Sequence, residues 1–470
     1  MKKKLIIHPA LFAVFPFLFF YAHNVQDLQQ LRAVWVALVV GASVGLAFLA
    51  WRLFRCFLKD RTKAALATTL LIFLLFFYGH LYGILENWAS IVAGHGYLIA
   101  AMLAAFGLGV YLIRRARRDL GTITRALNVV AVVLIAMNAG TVISHEVSAH
   151  RAASAWTGIT EEVALPDVDF MPDIYFIVLD EYAHPDTIKE HYGYDNEQFI
   201  EGLEERGFFV ARNSTTHTDK TARAVASILN MEYAPETEPL RAAWRRINQN
   251  RVIDYFQAMG YTCIYFGHYH ELGRYEINAD MYVNYYEDAD YQPLMAEMAS
   301  YLLRNPAFSP FHDSVGGERY EDYYREGLLN TLDHLGEVHE MEGPKFVFAH
   351  IMAPHVPFVV GPDGEHVEAE DFYNYDDEEF YLGQYIYITQ EVTGIIDDLL
   401  NESDTEPIII IQSDHGPRWV EGWEKILNAF YLPDDDHELL CDSISPVDTF
   451  RFIFNHYFDA GFEPSEEDRP

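Results

Sequence analysis

The chain has 470 residues, with 33 Lys+Arg against 69 Asp+Glu, a formal net charge of −36 and a mean hydropathy of −0.02. The averages hide a split, since residues 1–126 carry 14 Lys+Arg and 4 Asp+Glu while residues 127–470 carry 19 and 65. The acidic body argues against a nucleic-acid partner, whose phosphates need Lys and Arg, and its apolar content argues against disorder. Three cysteines exclude a disulfide scaffold and a cysteine-based zinc cluster.

Five apolar stretches come first: Leu5–Ala22, Ala33–Ala50, Ala64–Leu85, Tyr97–Ile113 and Leu127–Ser144. Each approaches the roughly 20 residues that cross a bilayer, the fourth being the shortest. Five such runs with almost no acid between them are hard to bury in a soluble fold. Residues 1–145 therefore read as a five-helix transmembrane domain. Basic residues cluster before the first span (Lys2, Lys3, Lys4), after the second (Arg52, Arg55, Lys59, Arg61, Lys63) and after the fourth (Arg114, Arg115, Arg117, Arg118, Arg125). The positive-inside rule then places the N-terminus in the cytoplasm and the acidic body outside the cell membrane. The first span also has the look of a signal peptide, but no A-x-A site follows it, and retention is the preferred reading. Residues 146–171 form a linker in which His150–Trp156 either lies along the membrane surface or acts as a plain tether.

Residues 172–470 alternate strand and helix patterns. Asp173–Leu179, Lys345–Ile351 and Pro407–Gln412 are continuous apolar runs, as strands buried on both faces of a parallel sheet require. Tyr261–Phe266 and Asn428–Leu432 are weaker strand candidates. Helical patterns fill Asn196–Arg206, Thr221–Asn230, Val252–Met259, Glu318–Glu340, Glu379–Leu400 and Pro446–Phe458. The class is α/β, with a mostly parallel central sheet flanked by helices. Cys263 either packs in the core of its strand or pairs with Cys441. The acidic stretches Asp363–Glu379 and Asp434–Glu438 read as solvated loops.

In open α/β sheets, sites form at the carboxyl ends of strands. Asp180-Glu181 follows the first strong strand, Ala353-Pro-His-Val-Pro-Phe358 the second, and Ser413-Asp414-His415-Gly416 the third. Charged groups at the ends of buried strands are costly unless paired or metal-bound. Two carboxylates and an imidazole suit one divalent cation of the Zn or Mn type. The hydroxyl-rich segment Asn213–Thr221 leads into a helix pattern, whose start offers free N–H groups to an anionic ester. Thr221 there is either a nucleophile or a plain helix cap. His268 and His270 follow a candidate strand and are read as surface or core histidines.

These residues resemble the alkaline phosphatase superfamily in its sulfatase-like branch, within the membrane-anchored group that includes lipoteichoic acid synthases and phosphoethanolamine transferases. The likeness rests on Ile174–Glu181, Asp219-Lys-Thr221, His350–Phe358 (HIMAPHVPF) and Gln412–Arg418 (QSDHGPR). It implies that Asp180, Thr221, Asp414 and His415 ligate one metal, with Thr221 also the nucleophile. It further implies that His355 holds the phosphoryl group or protonates the leaving group, and that Arg418 and Lys220 contact the anion. Glu181, His184, Asp186 and His350 are candidates for a second metal or for supporting the first. Sulfatases use a Cys or Ser in C/S-x-P-x-R, and the chain has no such motif. The lipoteichoic acid synthases carry Glu where this chain has Asp180, which sits one methylene further back. The function implied is phosphoryl transfer or hydrolysis on a lipid-linked or cell-envelope phosphoester. Alternatives are a sulfatase-like hydrolase using water and an inactive membrane-anchored binding protein. The acidic, Lys-poor body, with nine Lys against 24 Arg in the whole chain, also suggests a high-salt habitat in which ions screen self-repulsion.

Overall fold

The computed structural model describes residues 5–23, 33–88, 95–155, 170–267, 277–284, 317–367 and 378–465. The first compact unit is built on Met1–Ser148 and the second on Ala149–Tyr291 and Glu318–Pro470.

The first unit holds α1 (His8–His23), α2 (Ala33–Leu58), α3 (Arg61–Trp88), α4 (His95–Arg115) and most of α5 (Gly121–Ala155). Four stretches, Leu38–Leu58, Arg61–Tyr78, Tyr97–Arg115 and Gly121–Ser144, are long and apolar enough to cross a membrane. The shortest helix is α1, with 16 residues, rather than the fourth. Helix α5 runs on to Ala155, so the segment read as a linker begins as helix, while Trp156 lies outside the described residues. The interior of this unit combines small and polar side chains with a few large apolar ones, Phe12, Leu66, Ile72 and Leu98. Ala64, Ala65, Ala67 and Thr68 on α3 are fully buried, which lets neighbouring backbones come close. The start of α1 is tied down by polar contacts: Asn128 Oδ1 accepts from the N–H groups of Ile7 (3.2 Å) and His8 (2.9 Å). Asn128 also donates to Leu5 O, and His8 Nδ1 lies 2.7 Å from Thr69 Oγ1.

The second unit is a seven-stranded sheet between helices. Its strands are β1 (Ile174–Leu179), β2 (Phe209–Val210), β3 (Thr262–Gly267), β4 (Met281–Asn284), β5 (Lys345–Ile351), β6 (Ile408–Ser413) and β7 (Asn428–Tyr431), in the order β2-β7-β6-β1-β5-β3-β4. Pairings from β6 through β4 are parallel, and β7 is antiparallel to β6 and β2. The helices are α6 (Pro185–Tyr192), α7 (Glu197–Glu205), α8 (Thr221–Asn230), α9 (Leu240–Asn248), α10 (Arg251–Ala258), α11 (Gly317–Glu337), α12 (Glu378–Glu402) and α13 (Thr449–Phe458). One core layer joins Phe176, Phe348 and Phe346 of the sheet to Phe256 of α10 and Phe450 of α13. The Phe256 and Phe346 rings stack at 4.4 Å, and Phe450 meets Phe176 edge-on at 5.0 Å. Tyr175, Ile177 and Leu179 of β1 are buried as well, so both faces of the central strand are covered. All three cysteines are free, Cys263 buried and Cys441 exposed, so the Cys263–Cys441 bridge does not form.

Candidate active site

The register of the central strands builds the site. Leu179 of β1 pairs with Ser413 of β6, so the next residues, Asp180 and Asp414, leave adjacent strands side by side. Both are buried, as is His415. Ligand atoms of Asp180, Asp414 and His415 all lie within 4.8 Å of one another. Asp414 Oδ1 accepts from the N–H of Glu181 (3.1 Å) and the N–H of His415 (2.8 Å). Its other oxygen, Oδ2, is buried, accepts no hydrogen bond among the described residues and lies 3.3 Å from His415 Nε2. His415 Nδ1 faces Gly416 O at 2.9 Å, a contact that puts the proton on Nδ1 and leaves the Nε2 lone pair pointing into the site. Ligand atoms of Asp180, Asp414 and His415 thus converge on one point, an arrangement that a divalent cation fits. The donor set of two carboxylates and an imidazole fits Zn or Mn.

Thr221 is the first residue of α8, and Lys220 occupies the cap position without a side-chain cap bond. The hydroxyl therefore does not cap the helix. It lies 3.5 Å from Asp180 Oδ1 and 3.3 Å from His415 Nε2. The helical ladder begins with Arg223 and Ala224 donating to Lys220 O, so the N–H groups of Thr221 and Ala222 stand ahead of it. Lys220 Nζ is paired with Asp219 at 3.0 Å. Burial alone would raise the Asp219 carboxyl, but Lys220, Arg418 and His415 outweigh it and hold its pKa below the ordinary value.

Arg418 and His355 converge on Glu181. Arg418 Nε and Nη2 both donate to Glu181 Oε1 at 2.7 Å, and His355 Nε2 lies 3.9 Å from Oε2. Burial works against the Arg418 charge, but Glu181, Asp180 and Asp414 outweigh it and hold its pKa above the ordinary value. Glu181 is fully buried and takes a left-handed φ of 59°, a backbone region that costs a non-glycine residue energy and clusters at functional sites. His355 donates its N–H to Asp180 O and pairs through Nδ1 with Val356 O. His350, on β5, places Nε2 3.5 Å from Asp180 Oδ2, beside the cation position.

Of the remaining second-metal candidates, His184 Nδ1 lies 3.8 Å from Asp186 Oδ2, and no third ligand joins them among the described residues. His184 accepts from Asp186 N as the cap of α6, and burial lowers its pKa. Asp186 is largely exposed and lies 3.4 Å from Lys425. Glu181 is committed to Arg418. His268 and His270 fall outside the described residues.

Sequence reasoning missed the residues that hold these loops. On α12, Tyr381 OH donates to Glu181 O and accepts from Ala183 N, while Tyr385 OH donates to Ala183 O. Gln384, on the same face, accepts from the N–H groups of Val359 and Val360 and donates to the carbonyls of His355 and Pro357. The signal was a glutamine set between tyrosines at helical spacing on a buried face. In the loop after β6, Gly416 packs closely on the chain, and a Cβ there would meet Trp423 O at 3.0 Å, so Trp423 would have to give way slightly.

A buried Asp/Asp/His cluster thus stands at the carboxyl edge of a mostly parallel sheet, where α/β domains form their sites, beside a hydroxyl at a helix start. Residues 172–441 match the sulfatase family, and the chain belongs to it. Family membership supports an enzyme. No curated protein matches the chain. Among solved structures, it is similar to the integral membrane lipooligosaccharide phosphoethanolamine transferase A from Neisseria meningitidis, at 12% identity and a TM-score of 0.43 over 95% of this chain and 94% of that one. It is also similar to the C-terminal periplasmic domain of EcEptC from Escherichia coli (13%, 0.43, over 65% and 92%). A third similarity is to the lipoteichoic acid synthase LtaP from Listeria monocytogenes (12%, 0.37, over 63% and 75%). All three scores lie below 0.5, too low to carry function or site geometry across.

Proposed function

We propose that the chain is a membrane-anchored phosphotransferase or hydrolase that cleaves a phosphoester through Thr221. The observation that carries this reading is the Thr221 hydroxyl at the start of α8, within 3.5 Å of both Asp180 Oδ1 and His415 Nε2. Asp180, Asp414, His415 and Thr221 Oγ1 would hold one divalent cation, which supplies positive charge that acidifies the hydroxyl and offsets charge growing on the transferred group. The residues divide the rest of the work. Thr221 Oγ1 bonds to phosphorus as the ester P–O bond breaks, and its proton goes to the facing Asp180 carboxylate. The N–H groups of Thr221 and Ala222 meet the non-bridging oxygens. Arg418, set by Glu181, adds a charged donor, and His355 gives the leaving oxygen its proton. In the second half, His355 takes the proton of an acceptor hydroxyl or water as it attacks phosphorus, the bond from phosphorus to Thr221 Oγ1 breaks, and Asp180 returns the proton to Thr221.

The four membrane-length helices favour a lipid-linked or cell-envelope substrate, because tethering concentrates the enzyme beside it. Basic residues after the second and fourth spans favour a topology with those connections in the cytoplasm and the catalytic unit outside. The missing C/S-x-P-x-R motif favours phosphate over sulfate. Family membership favours water as the acceptor in a second reading. Incubating the purified chain with a phosphoester panel, with and without a lipid acceptor, separates transfer from hydrolysis. A phosphopeptide containing Thr221 supports the covalent route, and full activity in Thr221→Ala overturns it.

A further inference from the structure

The first unit contains a groove of about 420 Å³ that lies apart from the catalytic residues. Its volume falls in the range of roughly 300–1,000 Å³ typical of small-molecule sites. Its walls are apolar, with Ile6 and Ala10 on one side and Val44 and Phe48 on the other, and Trp51 and Arg61 also line it. The Trp51 ring is flanked by two guanidinium groups, Arg61 at 5.8 Å and Arg55 at 5.4 Å from its centroid, and its Nε1 donates to Arg61 O. Among the described residues, neither Arg55 nor Arg61 pairs with an acid, and both are exposed. Lys59 and Arg52 add further exposed positive charge on the same stretch of chain. An apolar slot between membrane-length helices, beside unneutralised guanidiniums and an interfacial tryptophan, matches the two halves of one kind of molecule.

We propose that this groove binds an anionic phospholipid from the leaflet at the basic end of the bundle. The acyl chain lies along Ile6, Ala10, Val44 and Phe48, and the phosphate is held by Arg61 and Arg55 beside Trp51. Charge complementarity selects the occupant, because a zwitterionic lipid offers the arginines a phosphate already offset by its own cation. The site is independent of the chemistry at Thr221 and stands whether or not that reading holds.

The test uses the full chain in detergent, titrated with phosphatidylglycerol or phosphatidylcholine and read by native mass spectrometry. The expected result is one phosphatidylglycerol retained in preference to phosphatidylcholine. Arg61→Gln weakens retention about fivefold, in line with one basic side chain near an anionic headgroup. Val44→Phe, which fills the slot, removes retention of both lipids. Arg118→Gln makes the same charge change at a residue that does not line the groove and leaves binding unaltered. Equal retention of the two lipids overturns the proposal, and so does an Arg118→Gln loss as large as that of Arg61→Gln, since diffuse charge would then be responsible. Thermal unfolding without added lipid verifies that each variant is folded. A variant that is not folded is replaced by Arg55→Gln, for which the same fivefold loss is expected and unchanged retention overturns the assignment.

Discussion

The two units are built inside out with respect to each other. In the second unit, Phe176, Phe346, Ile410 and Phe430 are fully buried and the outer surface is acidic. In the first, large apolar side chains such as Leu46, Leu103 and Val132 face outward, and the interior holds alanines, threonines and His8. Among the described residues, the exposed large hydrophobic side chains other than Phe170, Met281 and Leu439 all belong to the first unit. The same preference for removing apolar surface from water produces both arrangements, with lipid taking the place of a protein core in one of them. What each unit buries in polar form differs accordingly. The membrane unit buries polar groups that fasten helices, and the α/β unit buries charges gathered at the ends of its strands.

The sharpest way to break this contrast is to remove the group that makes the buried charges useful. Thr221→Ala is expected to lower turnover by roughly 10³-fold or more while leaving unfolding unchanged, measured by steady-state kinetics and thermal melts. Next comes a swap of surface chemistry. Val132→Asp, outward-facing in α5, is expected to cost about 3 kcal/mol in membrane insertion, whereas Leu439→Asp on the α/β unit should change stability by less than about 0.5 kcal/mol. Insertion assays and melts compare the two directly. Metal linkage ranks third: Zn at about 100 times its dissociation constant should stabilise the α/β unit by about 2.7 kcal/mol. A chelator should reverse the effect, and Asp414→Asn should abolish it in calorimetry. For the membrane unit, Asn128→Ala is expected to cost about 1 kcal/mol, because two N–H groups at the start of α1 lose their acceptor. The smallest effect concerns a surface pair. Arg206 holds Asp397 by two N–H donors at 2.7 and 2.8 Å, a bond that lowers the Asp397 pKa. A depressed carboxyl pKa stabilises the fold above the ordinary carboxylate range, and that contribution vanishes as pH falls through the depressed value. Asp397→Asn should therefore cost about 0.5 kcal/mol at pH 7 and nothing in strong acid, as read from denaturant midpoints.

Most of the frame was legible because it is written in long apolar runs. Lys345–Ile351 and Thr221–Asn230 coincide with β5 and α8, and the ends of β1 and β6 fall within a residue of the pattern. What was missed has local causes. Helix α6 is eight residues long and capped by a histidine, and α9 follows a proline and carries a run of arginines. Neither has a Ser/Asp start, and the apolar stripe of α9 (Leu240, Ala243, Trp244 and Ile247) is short. Strand β2 has two residues and β4 four, too few to display a period. At the site, the strand-end acids could be read because few other reasons place charge there. The Glu181–Arg418 pair could not, because it joins residues 237 apart whose meeting depends on the loop after β6. Gln384 and the α12 tyrosines escaped because helical spacing reads as core packing until their hydrogen bonds are seen.

The pairing of Leu179 with Ser413 has a consequence for biogenesis. Asp180 and Asp414 become neighbours only through a contact between strands separated by more than half of the catalytic unit's sequence. Closing so long a loop is slow and is stabilised only once the intervening layers have packed. A nascent chain released before β6 therefore holds Asp180 and Thr221 without Asp414 or His415. On the proposed reading, loading of a cation would then be a late event that follows completion of the sheet, and a chain truncated ahead of Ile408 would hold half of the proposed ligand set and no means of completing it.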